Sequence, residues 1–172
     1  MATTSISTST GAADKLLPTT AINFALLTSA QLSALAPAQI SSISTAQLAE
    51  ISTDAIAGLS ATQIQALTSS QIRAMLTEQI GQLNDTQIKA FATNQFNLLD
   101  DDQLQALNTL QINAVSPANI KTLSSAQILA LSTDQISALE RPWIDSLSPT
   151  QVAALSADQV KVLSETQLSY MT

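Results

Sequence analysis

The chain has 172 residues, about the size of one ordinary domain, yet only 3% are aromatic and 11% charged, with neither Cys nor His. Without Cys there are no disulfides or thiol chemistry, and without His as well the usual zinc sites and imidazole-based catalysis are excluded. A formal charge of −7 with six thinly spread basic residues lacks the electrostatic footprint of a nucleic-acid or anionic-membrane partner, while 45% apolar residues argue against a disordered tract.

In chain order, residues 1–19 stand apart. Met1–Gly11 is rich in Ser and Thr and lacks the basic start and apolar stretch of a Sec signal peptide, so it reads as an arm or cap. Ala12–Thr19 is a degenerate first repeat with Leu16 at its apolar position. From Thr20 to Met171 the chain then divides into nineteen octads of consensus S-x-x-Q-I-x-A-L, without an insertion or deletion. Position 4 is Gln from Gln31 to Gln167, and its gaps are filled in phase by Asn23, Ala55, Asn119 and Trp143. Positions 5 and 8 are apolar in all nineteen. No apolar run approaches the ~18 residues of a membrane span.

Apolar residues three apart are helical rather than alternating. One continuous helix is impossible, because eight residues at 100° each carry the apolar stripe about 80° around the cylinder per repeat. The chain must therefore bend once per octad, and position 1 marks where. It is usually Ser or Thr, with Asn84, Asp100 and Asn108 among the exceptions, and Gln follows three residues later. That is the capping box, so position 1 is the N-cap. Pro37, Pro117 and Pro149 fall at position 2 and Pro142 one later, where a first helical turn tolerates them. Acidic residues crowd positions 1 to 3, whereas Arg73, Lys89, Lys121 and Lys161 all occupy position 6, the polarity that a helix dipole favours.

The spacing thus predicts an all-α superhelical solenoid over residues 20–172, with about nineteen capped helices of about seven residues each. Helices this short are unstable alone and need neighbours. Odd and even octads are alike, which favours a screw of equivalent helices with two or three per turn over alternating layers. On a helical wheel positions 8, 1 and 5 face inward, positions 3 and 6 outward, and the frequent Ala of position 7 marks a close approach between helices. The array stops at Thr172 without a capping sequence, from which we expect either a longer array or end-to-end association.

No residue is assigned a catalytic, cofactor-binding or metal-binding role. The Gln column reads as capping boxes plus Gln-to-backbone or Gln-to-Gln bonds between coils, against a ligand-binding ladder. Asp100-Asp101-Asp102 lacks the spacing of a calcium loop and sits where a helix start welcomes acids. Trp143, in the most divergent octad, reads as local repacking against a contact surface. The Ser and Thr residues have no His partner, and their N-cap positions explain them, so no enzyme is expected.

Leu59-Ser-Ala-Thr-Gln-Ile-Gln-Ala-Leu67 and Leu131-Ser-Thr-Asp-Gln-Ile-Ser-Ala-Leu139 resemble the L-[ST]-x-x-Q-[IV]-x-A-L repeats of very large bacterial surface or secreted adhesin-like proteins. The resemblance implies a spacer or stalk and an extracellular or cell-surface setting. The leading expectation is a structural rod, spacer or self-assembling filament subunit. The alternative is a protein- or peptide-binding solenoid, for which Phe91, Phe96, Trp143 and Tyr170 are the aromatic hints.

Overall fold

A computed structural model describes residues 23–171. The arm and degenerate repeat expected over 1–19 lie outside the described residues. The described residues form a 3-10 turn, Phe24–Leu26, and eighteen α-helices from α1 (Ser29–Ser33) to α18 (Glu165–Tyr170), with no strand among them. Each α-helix belongs to one octad and starts at position 2, so the N-cap phase read from Ser, Thr and Pro holds throughout.

The helices are four to six residues long rather than seven, because the corner consumes the end of each octad. Between α5 (Ala61–Ala66) and α6 (Ser69–Ala74), the C-cap Leu67 has φ −61°, ψ 130° and the N-cap Thr68 has φ −75°, ψ 161°. Two successive extended residues turn the chain. No glycine with a left-handed backbone is involved.

Helices stack in steps of three octads. α2 (Pro37–Ser42), α5, α8 (Asp85–Ala90), α11 (Thr109–Ala114) and α14 (Thr133–Ser137) pack one on the next in a single column. Side-chain hydrogen bonds, by contrast, reach back to the fourth octad before, at offsets of 28 and 31 residues. A turn of the coil therefore holds more than three and fewer than four octads, and the expected two or three per turn is too few. The cause is a brick-like stagger, which sets each helix over the seam of the turn below and brings its polar residue above the carbonyls at a corner, where donors are needed. At ~8–10 Å per layer the nineteen octads make a rod of roughly 45–55 Å.

The core runs along the whole coil. Position 5 is sealed from Phe24 to Ile144: Ile64, Ile72, Ile80, Ile88, Leu104 and Ile112 are each 0% exposed. Position 8 closes the other side of the core, as with Leu83 and Leu107. Position 1 was expected to face inward but is mostly exposed, because the N-cap leaves helical geometry and stands at the corner. Its place inside is taken by the Gln of position 4. Position 7 does mark close approach. A Cβ on Gly58 would lie 2.3 Å from the Ser29 carbonyl oxygen, and the Asn113 side-chain amide reaches the Ala138 carbonyl at 2.8 Å.

Candidate functional site

The most conspicuous chemical feature of the coil is its column of glutamines, and each amide is used at both ends. Gln103 shows the pattern. Its Oε1 accepts the Asp100 backbone N–H at 3.0 Å, the Asp100 carboxylate accepts the Gln103 N–H at 2.8 Å, and the box is closed. Its Nε2 then donates to the carbonyls of Ile72 at 3.0 Å and Met75 at 2.7 Å, the fifth and eighth residues of the octad four earlier. One neutral side chain caps the start of its own helix and the end of another.

This holds along the array. All fifteen position-4 glutamines accept from their N-cap amide. The twelve from Gln63 onward also donate to a position-8 carbonyl 28 residues earlier, at 2.5–2.9 Å. At Ala36, Leu76 and Ala92 the N-cap has no acceptor side chain, and only the Gln half of the box forms. The expected Gln-to-backbone bonds between coils are present. No Gln-to-Gln bond occurs among the described residues. A ligand would have to displace amides whose donors and acceptors already stabilise the fold.

The exceptions in the column are matched 28 residues earlier. Trp143, the largest residue at position 4, stands in register with Val115, the one Val at position 8; Asn119, shorter than Gln, stands in register with Phe91, the one Phe there. The Asn119 amide reaches the Phe91 carbonyl at 3.0 Å but is too short to accept from Ser116 N–H as a Gln would, and its buried Oδ1 has no partner. Trp143 is buried, its indole N–H likewise without a partner, which makes it a repacked core residue rather than a contact surface. These pairings are visible in the sequence when each octad is set against the fourth one back, and a comparison of adjacent octads does not reveal them.

The other candidates also fall to structural roles. Asp100 caps its helix, Asp101 and Asp102 occupy the first turn, and no cluster of metal-ligating side chains is found among the described residues. Phe91 and Phe96 are buried and meet edge to face at 5.9 Å, while Tyr170 is half-buried with the Arg141 guanidinium 5.0 Å from its ring centroid. The aromatic hints thus do not join into a surface patch. A shallow open depression lies where three corners stack, lined by Ser60, Asn84 and Asn108, each of which accepts from the backbone of its own helix.

No helix among the described residues is long and apolar enough to cross a membrane. Comparison with curated proteins and with solved structures gives no match. A family model described as the ALTTAQ repeat matches residues 109–141. Those six letters follow positions 7, 8, 1, 2, 3 and 4 of the octad, as in Ala130-Leu-Ser-Thr-Asp-Gln135. Over that stretch the chain is similar to a repeat module, as its short-helix coil also indicates.

Proposed function

We propose that the chain is a non-catalytic structural rod or spacer that associates end to end with further copies of itself, in the manner of a filament or surface-layer subunit. One observation carries this reading: the polar column that would offer a binding ladder is consumed in joining each turn to the turn before it. A side chain held by three bonds and 2–3% exposed, as Gln103 and Gln135 are, builds length rather than presenting chemistry. The extracellular or cell-surface setting belongs to the same proposal and rests on the resemblance to spacer repeats of bacterial surface proteins.

Small-angle scattering at low concentration tests the rod directly. The expected result is an elongated particle of roughly 45–55 Å with one constant cross-section. A compact sphere or an expanded chain would refute the reading. Recovery of a stoichiometric foreign protein, bound along the side of an unassociated rod, would favour the solenoid binding module instead.

A further inference from the structure

One octad is joined to the turn beneath it by a different device. In the octad 140–147 the position-4 residue is Trp143, which makes no cap and no tie: its indole N–H, buried with the ring at 2% exposure, has no partner. The carbonyls that a Gln would reach from there, those of Ile112 and Val115, receive no side-chain donor among the described residues. Beneath it in the same column, Asn119 supplies a single tie, to the Phe91 carbonyl at 3.0 Å. The cap is nevertheless made good. The Glu140 backbone N–H donates to Asn113 Oδ1 at 2.9 Å, while Asn113 Nδ2 donates to the Ala138 carbonyl at 2.8 Å and to the Thr109 carbonyl of its own helix at 3.1 Å. Asn113 stands at position 6, the outward position, one turn below. Reaching up from outside, it does what Gln103 does reaching down from inside: it accepts from an N-cap amide and donates to a carbonyl of the neighbouring turn.

We propose that Asn113 is an external latch that holds the turn bearing Trp143 on the turn beneath, in place of the buried Gln tie, and that residues 140–147 open before the preceding octad does. The two octads differ in where their ties lie. Gln135, in the preceding octad, makes its two bonds to the turn below at 2.8 and 2.7 Å from a side chain 3% exposed. The bond from Glu140 to Asn113 lies at the surface, where water replaces either partner at little cost. Trp143 then anchors its octad by apolar burial alone, and its indole N–H gains a partner in water when the octad lifts. Opening here leaves the turn held by Gln135 in place. The latch does not depend on end-to-end association, so its failure leaves the rod reading intact.

Native-state hydrogen exchange on the full chain, followed residue by residue by NMR, tests the order of opening. The amides of Ile144, Asp145 and Leu147, bonded within their octad at 2.9–3.2 Å, are expected to exchange at least about tenfold faster than those of Ile136 and Leu139. Asn113→Ala should speed the three by about a further fivefold, the contribution of one hydrogen bond, and leave Ile136 unchanged. Trp143→Gln with Val115→Leu supplies the consensus residues for an interior tie. That pair should slow the three amides toward the Ile136 rate and reduce the effect of Asn113→Ala to less than about twofold. Exchange at 140–147 as slow as at Ile136 overturns the proposal, as does an Asn113→Ala variant that leaves those rates unchanged. An Asn113→Ala effect of equal size in both backgrounds also overturns it, since Asn113 would then not stand in for the missing Gln. If the Trp143→Gln, Val115→Leu chain loses its helical circular dichroism, the wild-type and Asn113→Ala rates decide alone.

Discussion

Replacing one glutamine in the middle of the coil and one at its beginning should give different costs although the repeat position is the same. Gln103→Ala removes the acceptor for the Asp100 N–H at 3.0 Å and the donor to Ile72 and Met75 at 3.0 and 2.7 Å. The Ile72 carbonyl keeps the Met75 N–H at 3.2 Å, but the Met75 carbonyl loses its side-chain donor in the interior. An orphaned buried carbonyl costs about 1–3 kcal/mol, and the two other lost bonds about 1 kcal/mol each. One methylene withdrawn from the core adds about 0.8 kcal/mol. The expected loss is therefore about 4–6 kcal/mol, a large part of the ~5–15 kcal/mol of a typical domain. Gln31→Ala gives up the Thr28 cap at 3.0 Å on an exposed helix start, a loss of about 1 kcal/mol. Urea unfolding followed by circular dichroism and by the fluorescence of the single, buried Trp143 measures both. Equal destabilisation by the two substitutions would refute the double role of the amide.

Asn119→Gln made together with Phe91→Leu should be more stable than Phe91→Leu alone by about 1–2 kcal/mol, since the longer side chain then has room to reach both Ser116 N–H and the Ile88 carbonyl; a lower denaturation midpoint for the double variant would contradict this. Gly58→Ala should cost well over 2 kcal/mol because its Cβ would meet the Ser29 carbonyl at 2.3 Å, whereas Gly81→Ala, with its nearest atom at 3.3 Å, should be far milder; a thermal melt ranks them. Gln103→Glu should invert the usual acid lability at that site. Burial beside two carbonyls raises the folded-state pKa of the new carboxyl above its unfolded value near ~4.3, so the variant is at its best below that pH and loses stability as pH rises through the raised value. A difference from wild type that does not change with pH would count against that environment.

Much of the fold was legible because each octad states its own boundaries. Pro37, Pro117 and Pro149 could stand only at a helix start, and Ser or Thr followed by Gln named the same place independently. What is local was therefore readable. The number of octads per turn was not, since a helical wheel treats eight residues as one ideal helix and says nothing of the corner angle. The same idealisation put position 1 inside, when the extended N-cap carries Ser60 and Thr68 to the surface. The candidate site was half legible. The capping role of Gln follows from spacing, but the identity of its outward partner depends on a 28-residue offset. Only the Trp143 and Val115 pair and the Asn119 and Phe91 pair betray that offset, and each is a single instance.

The side chain at position 4 must accept from an amide three residues back and donate toward a carbonyl pair in the turn below, from within the core and without charge. Asn carries the same amide but falls one methylene short, as the unpartnered Oδ1 of Asn119 shows. Ionised Glu has acceptors only and would bring a buried charge against carbonyl dipoles. Gln alone meets all three conditions, so its recurrence is explained by the coil without reference to any ligand. The same side chain specifies the local helix start and the long-range register, so a fault in one is a fault in the other. Each turn then serves as template for the next, and octads can be added without altering those already in place, with stability growing as a sum of nearest-turn contacts. Such a device sets length and leaves the outer surface free to vary, consistent with exposed positions 2, 3 and 6 that carry Lys89, Asp101 and Lys121 alike.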